Sequence, residues 1–587
     1  MISQLPPPPV KRWIVQPQPQ SPAQQSAIAS LTASLGVSPF LASLLVQRGI
    51  FTYDDARSFF RPAIDHLHDP FLMKDMDRAI MRLEMALVRQ EKILVYGDYD
   101  VDGTTSVALV YSFLKQYHPH IDYYIPDRYK EGYGISKQGI EWAAEQGFSL
   151  IIALDCGIKS VDRVAEASAL GVDFIICDHH RPGDELPAAA AVLDPKRTDC
   201  SYPYKELSGC GVGFKLLQAF CCHKSIDLDQ LYPYLDLVVV SIASDIVPIT
   251  GENRVLAYYG LKYLNHQPRT GLKALIRGAG FKPAPNAVGA ETDLDITNVV
   301  FGLGPRINAA GRIKHAKAAV QLLLAEAEAE ANAFAAVINK HNEDRRAFDS
   351  SITDQALSMI RSNDTLLQAK STVLFDAGWH KGVIGIVASR CIEQFHRPTI
   401  ILTESNGKAA GSARSVPGFD VYEAIEECAE LLEQFGGHTF AAGMTLSVDK
   451  VDAFRQKFES VVAARIRDEH LTPLVDIDLP LDFSEINDKL FRIIRQMGPF
   501  GPQNPQPTFM TDDVYLAYEP IVMKEKHLKL FLKHRGTGQM LTAIGFGLGH
   551  LASSLTTRKP ISVCYQIDQN HFNGQTTLQL MLKDVKA

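Results

Sequence analysis

Three aspartates stand at alternate positions directly after a short apolar run, at Asp98, Asp100 and Asp102, and Gly103 follows them. The apolar residues 93–96 predict a strand, and the residues after Gly103 have the pattern of a helix. Carboxylates so close in the chain repel one another unless they are protonated or share a bound cation. The pattern therefore predicts a loop at a strand end that binds hard divalent cations through carboxylate oxygens.

An EF-hand calcium loop is the main alternative for a D-x-D-x-D-G sequence. The last position of such a loop would carry a bidentate glutamate, and here that position is Leu109. The flanking segments also predict a strand and a helix, whereas an EF-hand is flanked by two helices. The sequence therefore argues against an EF-hand.

Acidic and imidazole side chains follow further apolar runs in the same part of the chain. Residues 150–154 and 174–177 predict strands, and a third apolar run covers 235–243. The polar side chains that come after these runs are Asp155, Asp178, His179, His180 and Asp245. One aspartate after a strand is most often a turn former or a helix N-cap. Several such places in order favour one crevice at the carboxyl edge of a sheet.

Strands and amphipathic helices alternate over residues 91–250, which predicts an α/β fold with a parallel sheet covered by helices. A second α/β unit follows a long Ala- and Glu-rich helical stretch, and the last part of the chain predicts a small β-barrel. We expect five segments: a flexible tail with a helical segment (1–48), the parallel-sheet domain (49–315), a connecting helix (316–365), the second α/β domain (366–470) and the barrel (471–587).

Composition restricts where such a protein works. The chain has nine cysteines without a CxxC pair, so we expect neither a disulfide framework nor a structural zinc, and a reducing cytoplasm fits best. We expect no secretory signal at the Pro- and Gln-rich N-terminus, and no membrane span because no apolar run reaches about 18 residues. The net charge of −8 is compatible with nucleic-acid binding, since the carboxylates of a metal site lower it.

The motifs GDYDVDG, LDCG, DHH and ASDIVP resemble the four motifs of the DHH phosphoesterases, and the first is similar to the RecJ family in particular. The resemblance implies two divalent cations, Mn²⁺ or Mg²⁺, bridged by Asp155, with His180 beside the scissile phosphate. The metal ligands that it implies are Asp98, Asp100, Asp102, Asp155, His179 and Asp245. Asp178 and His180 complete the candidate catalytic set. Tyr96 stands where many superfamily members have a metal-binding histidine, and Asp98 is the expected substitute.

Residues outside the acidic cluster are the candidates for substrate binding. Residues 304–312 (GPRINAAGR) form a predicted Gly-rich loop that resembles a further RecJ motif, and a guanidinium fork suits phosphate oxygens. In the second α/β domain, Gly-rich segments at 379–385, 411–415 and 436–438 resemble the DHH-associated domain, where backbone N–H groups approach phosphates. The candidates are Arg128, Arg306, Asn308, Arg312, His380, Ser412, Arg414 and His438. The resemblance implies that Ser412 and Arg414 take the 5′-phosphate end.

A strand with one apolar face is predicted in the C-terminal region, at residues 527–533 (HLKLFLK). Strict alternation separates Leu528, Leu530 and Leu532 from Lys529, Phe531 and Lys533. An aromatic ring between two lysines is a platform for a stacked base and its phosphates. An ordinary half-buried strand explains the leucines equally well, and the residues alone leave both interpretations open. The resemblance, which implies an oligonucleotide-binding (OB) barrel, favours DNA.

Taken together, the resemblance implies a single-stranded-DNA-specific 5′-to-3′ exonuclease that releases 5′-mononucleotides in DNA repair and recombination. It implies a helicase and a single-strand-binding protein as partners, and we expect a monomer. Two alternatives are a DHH phosphodiesterase acting on nanoRNA or cyclic dinucleotides, and a DNA-binding scaffold with an inactive site. The C-terminal barrel argues against the first, and intact aspartates in all four motifs argue against the second.

Overall fold

The computed structural model describes residues 9–281, 293–534, 538–572 and 575–587. Two compact units divide the chain. The first unit contains Arg57–Arg345 together with Met497–Pro505, and the second contains the chain up to Ala56, Arg346–Gln496 and Gln506–Ala587. None of the described helices is long and apolar enough to cross a membrane.

The N-terminal segment contains helices as expected, but residues of the expected flexible tail also have regular structure, which corrects that part of the expectation. It forms β1 (Arg12–Val15), α1 (Pro22–Leu35) and α2 (Pro39–Gln47). Serine side chains cap both helices, and β1 pairs in parallel with the strand Leu474–Ile477. The Trp13 indole donates a hydrogen bond of 2.7 Å to Asp584. Residues 1–8 of the expected tail lie outside the described chain.

Five parallel strands form the sheet of the first unit, in the order β3-β2-β4-β5-β6. They are β2 (Lys92–Gly97), β3 (Ile121–Tyr124), β4 (Phe148–Leu154), β5 (Asp173–Cys177) and β6 (Ala191–Leu193). Alternate residues of β2 enter two cores, since Ile93 and Val95 pack in one and Leu94 and Tyr96 in the other. Helices therefore cover both faces of the sheet, as is usual for parallel strands. The predicted α/β fold with a parallel sheet is confirmed.

The helices of the first unit divide between these two cores. Apart from α3 (Tyr53–Phe60), which contains the residue at which this unit begins, those up to residue 324 are α4 (Met76–Val88), α5 (Val101–Leu114), α6 (Lys137–Glu145), α7 (Val161–Ala169), α8 (Gly209–Lys224), α9 (Leu235–Ser244), α10 (Gly251–His266), α11 (Thr270–Gly278), α12 (Ile296–Asn298), α13 (Gly304–Ile313) and α14 (Lys317–Leu324). Helices α5, α8 and α9 contribute to the core around Ile93, and α6 and α7 contribute to the core around Leu94.

The long helical stretch predicted over 316–365 is interrupted, so the expectation of one connecting helix is wrong. Helix α14 ends at Leu324, and the next residue, Ala325, has an extended backbone with a ψ of 124°. The chain resumes as α15 (Glu328–Arg361), and α16 (Asp364–Gln368) follows. Acidic residues stand in the first turn of α15, where the helix dipole favours negative charge. Local backbone geometry therefore divides a stretch that lacks Pro and Gly.

A mixed five-stranded sheet with the order β10-β11-β9-β8-β7 follows in the second unit. Its elements are β7 (Thr372–Phe375), α17 (Ile384–Phe395), β8 (Thr399–Ser405), β9 (Lys408–Arg414), α18 (Val421–Glu426), β10 (Gln434–His438), β11 (Ala441–Leu446) and α19 (Val451–Arg465). Strands β7 and β8 run parallel, and the remaining pairs of this sheet are antiparallel. The predicted second α/β domain is present in the structure.

The last part of the chain forms a β-barrel, as the short strands and turns predict. Its elements are β12 (Leu474–Ile477), β13 (Leu479–Pro480), α20 (Asp488–Gln496), β14 (Phe509–Leu516), β15 (Ile521–Met523), β16 (His527–His534), β17 (Met540–Gly545), β18 (Ile561–Phe572) and β19 (Gln575–Lys586). A seven-stranded sheet contains all of these strands except β12, and an additional pairing of β14 with β16 closes the barrel.

Candidate active site

The carboxyl ends of β2, β4 and β5 lie at one edge of the parallel sheet. Asp98 follows β2, Asp155 follows β4, and Asp178 and His179 follow β5. The Asp155 N–H donates to the carbonyl of Cys177 at 2.9 Å, so strand pairing itself brings Asp155 to the next strand. Asp155 has a φ of +58°, a left-handed conformation that is strained for a residue with a side chain. Such strain is typical of functional sites.

Helix N-termini fix the two other aspartates of the first motif. Asp100 caps α5 and accepts a hydrogen bond of 3.0 Å from the N–H of Gly103. Asp102 accepts hydrogen bonds from the N–H groups of Gly209 (2.6 Å) and Cys210 (2.8 Å) at the start of α8. A carboxylate is favoured at a helix N-terminus, where unpaired N–H groups and the dipole are positive.

His179 lies among carboxylates from the other three motifs. Its Nε2 atom lies 3.2 Å from Asp155, 3.5 Å from Asp245 and 3.7 Å from Asp102. Three groups of side chains bring their donor atoms within 4.8 Å of one another: Asp98, Asp100 and Asp155; Asp102, His179 and Asp245; and Asp155, His179 and His180. The structure thus brings together all six residues that the sequence suggests as metal ligands, and Asp155 belongs to two of the groups.

Burial and mutual repulsion raise the pKa values of these carboxyl groups. The pKa of Asp155 lies well above its ordinary value because the group is buried and faces Asp102 and Asp100. Burial and neighbouring aspartates likewise raise the pKa of Asp98 and of Asp245. The pKa of Asp100 is also raised, first by burial and then by Asp102. Without a positive charge among them, these groups would favour protonation.

The donor atoms fit divalent cations. Both carboxylate oxygens of Asp98 and both ring nitrogens of His179 are buried without a hydrogen-bond partner in the described chain. Burial also lowers the pKa of His179, which favours the neutral ring that a metal needs. Five carboxylates and one imidazole are the ligands that Mn²⁺ and Mg²⁺ accept. The buried, unpartnered donor atoms and the ligand types therefore make the six side chains candidate metal ligands.

Asp178 differs from the other aspartates because its oxygens are already used. It accepts from the N–H of Ile158 at 2.9 Å, and its Oδ1 lies 2.7 Å from Nδ1 of His180. Burial opposes ionisation of Asp178, but the hydrogen bond and charge of His180 lower its pKa to about 2. Burial opposes protonation of His180, but Asp178 raises its pKa to about 9. Asp178 therefore orients the ring of His180, whose Nε2 lies 3.2 Å from the hydroxyl of Tyr133.

Tyr96, at the position of the superfamily histidine, is buried and serves a neighbouring loop. Its ring stacks on Tyr124 with 5.4 Å between centroids. Its hydroxyl donates to the carbonyl of Gly134 and accepts from the N–H of Ser136, both at 3.0 Å. Tyr96 thus anchors the loop that carries Arg128, while Asp98 belongs to a group of potential metal ligands.

Two of the candidate substrate-binding arginines lie near the acidic loop. The guanidinium of Arg128 lies 4.9 Å from the ring centre of Tyr99, the residue between Asp98 and Asp100 in the chain. Helix α13, which carries Arg312, approaches the same loop at Gly311, where an added Cβ would lie 2.8 Å from the carbonyl oxygen of Tyr99. The backbone carbonyl of Arg312 also accepts a hydrogen bond from Tyr129.

The prediction of a Gly-rich loop over 304–312 is wrong. These residues form α13, which follows a π-helical turn at Val299–Leu303. Arg306 donates to the carbonyl of Gly302 at 2.6 Å and to Asn339 at 2.8 Å, so its side chain takes part in holding the helix. Asn308 is half-buried on the same helix.

Ser412 and Arg414 lie together on strand β9. Arg414 donates to the Ser412 hydroxyl at 3.0 Å. The first turn of α17 lies beside them, because a Cβ added at Gly385 would lie 2.8 Å from Arg414 and 2.9 Å from Ser412. A helix N-terminus, a hydroxyl and a guanidinium together form the kind of site that binds phosphate.

The two candidate histidines of this domain differ in environment. The ring of His380 stacks on Phe348 at 5.0 Å, and its Nδ1 accepts from the N–H of Gly382 at 3.1 Å. His438 is exposed at the end of β10, where its Nδ1 accepts from the N–H of Phe440 at 3.3 Å. The structure therefore holds His380 more firmly than His438.

The predicted alternation in β16 is confirmed. Leu528, Leu530 and Leu532 are fully buried. The residues between them are half-buried or exposed. The ammonium of Lys529 lies 5.1 Å from the ring centre of Phe531, and Tyr518 meets that ring edge-on at 5.4 Å. Lys529, Phe531 and Lys533 thus form one aromatic and basic face on the barrel.

Sequence reasoning missed small residues that support the aspartates. The Ser241 hydroxyl donates to Asp102 at 2.7 Å, and its oxygen lies 2.7 Å from the hydroxyl oxygen of Ser208. Gly209 must be a glycine, since an added Cβ would lie 2.6 Å from Cβ of Asp155. The run SGCGVG at the start of an apolar helix was the available sign, because such glycines allow backbone to approach closely.

A parallel sheet with a two-cation donor set at its carboxyl edge is the architecture of a DHH-type phosphoesterase. Residues 92–242 match the DHH family, N-terminal domain, residues 368–464 match the DHHA1 domain, and residues 477–584 match the RecJ OB domain.

The chain belongs to the RecJ family. It is 38% identical over 576 residues to the single-stranded-DNA-specific exonuclease RecJ of Bacillus subtilis (strain 168), which covers 98% of this chain and 70% of that protein. RecJ from Thermus thermophilus in complex with Mn²⁺ has a similar structure, with a TM-score of 0.82 and 27% identity over 98% of this chain and 79% of that one. The structure of its complex with Mg²⁺ has a TM-score of 0.77 and 26% identity, over 98% of this chain and 78% of that one.

Proposed function

We propose that this protein is a single-stranded-DNA-specific exonuclease that hydrolyses phosphodiester bonds from the 5′ end and releases 5′-mononucleotides. The observation that carries the proposal is the cluster of Asp98, Asp100, Asp102, Asp155, His179 and Asp245. A relative at 38% identity bears the name single-stranded-DNA-specific exonuclease, and solved relatives contain Mn²⁺ or Mg²⁺. We further propose DNA repair and recombination as the setting, with a helicase and a single-strand-binding protein as partners, in the cytoplasm and as a monomer.

Two divalent cations would be held by the six side chains of the cluster. When bound, they supply Lewis acidity that makes water nucleophilic near neutral pH and neutralises charge on the reacting phosphate. The protein side needs no nucleophilic residue. The protein has to hold five carboxylates in a buried position. For Asp102, the N–H groups at the start of α8 and the Ser241 hydroxyl stabilise the carboxylate by hydrogen bonds.

His180 is the polar group at the edge of this cluster. Its Nδ1 lies 3.9 Å from Asp155, and the hydrogen bond to Asp178 fixes the ring orientation. The Nε2 and the Tyr133 hydroxyl, 3.2 Å apart, form a pair that can donate to phosphate oxygens. We assign His180 to phosphate contact and Asp178 to the positioning of His180.

Substrate selection would come from residues outside the cluster. Ser412, Arg414 and the first turn of α17 offer donors for a terminal phosphate, which suits an enzyme that begins at a 5′ end. Arg128 lies beside the acidic loop and provides a further positive charge. On the barrel, Phe531 offers a ring for stacking, and Lys529 and Lys533 offer charge for the backbone.

The test uses one oligonucleotide labelled at its 3′ end, supplied as a single strand and as a blunt duplex, with Mn²⁺ or Mg²⁺. We expect shortening from the 5′ side of the single strand only, 5′-mononucleotides as products, and no cleavage by Asp155→Ala. Retention of the single strand without cleavage by the wild type would contradict the proposal and favour a DNA-binding scaffold. Cleavage of short RNA or cyclic dinucleotides in preference to DNA would favour a small-substrate phosphodiesterase.

A further inference from the structure

A short segment of the chain, Met497–Pro505, belongs to the first unit although the residues on both sides of it belong to the second. It contacts the residues that follow Asp245. The N–H of Ile249 donates to the carbonyl of Pro502 at 2.8 Å. A candidate metal ligand thus lies four positions from a backbone contact with a part of the chain more than two hundred residues away.

The turn after Asp245 needs outside support. Ile246 has a φ of +61°, a conformation that is rare and strained for a β-branched residue. The Ile246 side chain is 63% exposed, so its packing does not stabilise the turn. The restraint comes from the residues that follow, where the Pro248 carbonyl accepts from the Tyr204 hydroxyl at 3.2 Å and from Asn253 at 3.1 Å.

The 497–505 segment is shaped for its contact with Ile249. Asn504 is buried, and its amide donates to the carbonyls of Met497 at 3.1 Å and Pro499 at 2.8 Å. Gly501 and Asn504 also exchange two backbone hydrogen bonds of 3.0 Å. A Cβ added at Gly501 would lie 2.5 Å from Cγ1 of Ile249, which is fully buried and has no room to move. Only glycine allows this approach.

A second contact joins the 497–505 segment to helix α10. Arg254, in the first turn of α10, donates to the carbonyl of Pro499 at 3.3 Å and to the carbonyl of Phe59 at 2.8 Å. Its guanidinium lies 4.1 Å from the ring centre of Phe59. The segment is therefore fixed on both sides of Gly501 by groups of the first unit.

We propose that the 497–505 segment is a positioning element of the metal site. It restrains the strained turn at Ile246 and thereby holds the carboxylate of Asp245 against His179. The inference rests on the proposed function, because it takes Asp245 as a metal ligand. The segment makes no catalytic contact and acts through Asp245 alone. A defect in the segment should therefore weaken cation binding and turnover and leave DNA affinity unchanged.

Gly501→Ala is the variant that tests this, because its new Cβ would push against Ile249. Mn²⁺ affinity is measured on the metal-free full chain, by the electron paramagnetic resonance signal of free Mn²⁺. Asp245→Asn serves as the reference, and Gly183→Ala as the matched control, since its added Cβ would meet nothing closer than 3.8 Å. The double variant Gly501→Ala/Ile249→Ala removes the colliding atom and tests rescue. Circular dichroism confirms that each variant is folded.

We expect Gly501→Ala to bind Mn²⁺ about tenfold more weakly and to lose kcat to a similar extent, as is typical for residues that support metal ligands. The KM for single-stranded DNA should stay within about twofold, and the double variant should recover to within about threefold of the wild-type Mn²⁺ affinity. If Asp245→Asn loses affinity and Gly501→Ala does not, the positioning role is wrong and the proposed function stands. Unchanged affinity in Asp245→Asn overturns the ligand assignment itself. An equal loss in Gly501→Ala and the double variant would mean general destabilisation and would also overturn the inference.

Discussion

The Nε2 atom of His179 lies 3.2 Å from Oδ1 of Asp155, and both side chains are buried. The two residues follow neighbouring parallel strands, β5 and β4, so the sheet itself sets their distance. The carboxyl group has a raised pKa and the imidazole a lowered one, because burial disfavours the charged form of each. A divalent cation between them would restore the charged carboxylate and use the neutral ring. This relationship links stability to metal binding.

Metal removal should therefore lower thermal stability. A cation at about 100 times its dissociation constant stabilises the folded state by about 2.7 kcal/mol. We expect EDTA to lower the melting temperature of the wild type and Mn²⁺ to raise it. Asp155→Asn removes one ionisable group from the repelling cluster, so the metal-free variant should be at least as stable as the wild type and should lose most of the Mn²⁺ response. Scanning fluorimetry measures both, and an equal Mn²⁺ response in the two proteins would contradict the prediction.

Glu91 links stability to pH at a distance from the metal site. It accepts hydrogen bonds from Arg82 and from Ser149, both at 2.7 Å. Burial alone would raise the pKa of Glu91, but these two partners lower it. Because the folded pKa is depressed, the contribution is present above the ordinary pKa and is lost as the pH falls through the folded value. Glu91→Gln should cost about 1–2 kcal/mol at neutral pH and less in acid. Urea unfolding at the two pH values is the test, and an equal cost at both would disprove it.

Arg414 should determine the preference for a phosphorylated 5′ end. Arg414→Ala should lower kcat/KM by about 10–100-fold for a 5′-phosphorylated strand and much less for a 5′-hydroxyl strand, because only the former has charge to pair. Arg414→Lys keeps the charge and loses the fork, so we expect an intermediate effect. Single-turnover rates on the two substrates measure the preference. Equal losses on both would assign Arg414 to the fold.

Phe531 should contribute to DNA binding through stacking. Phe531→Ala should weaken binding of a long single strand by about 1–3 kcal/mol and leave kcat at saturation unchanged. Lys529→Ala should instead reduce the dependence of affinity on salt, because a phosphate contact is lost. Fluorescence anisotropy at two salt concentrations separates the two effects. Unaltered affinity in both variants would favour the alternative of an ordinary solvated strand face.

The sequence predicts the sheet and much of the site because one simple rule applies. Apolar runs define parallel strands, and the residues after them, such as Asp98, Asp155 and Asp178, must meet at the carboxyl edge. That rule cannot distinguish a residue that binds the metal from one that only positions a neighbouring side chain. Asp178 follows its strand as Asp155 does, and only the hydrogen bonds to Ile158 and His180 show the difference.

Other features depend on contacts between residues far apart in the chain. Arg306 bonds to a side chain 33 positions away, which local pattern does not reveal. The N-terminal segment has tail-like composition but gains a strand partner more than 400 residues later. Asp245 follows a helix rather than a strand, and its position depends on the turn at Ile246. Tertiary contacts therefore determine the role of Arg306, the structure of the N-terminal segment and the position of Asp245.

The most direct test of the central claim is the number of Mn²⁺ ions that the metal-free protein binds, measured by isothermal titration calorimetry. We expect two ions per chain for the wild type. Because Asp155 lies in two of the donor groups, Asp155→Asn should bind at most one, with an affinity about 10–100-fold weaker. Binding of two ions with unchanged affinity by Asp155→Asn, or of none by the wild type, would contradict a two-cation site in this cluster.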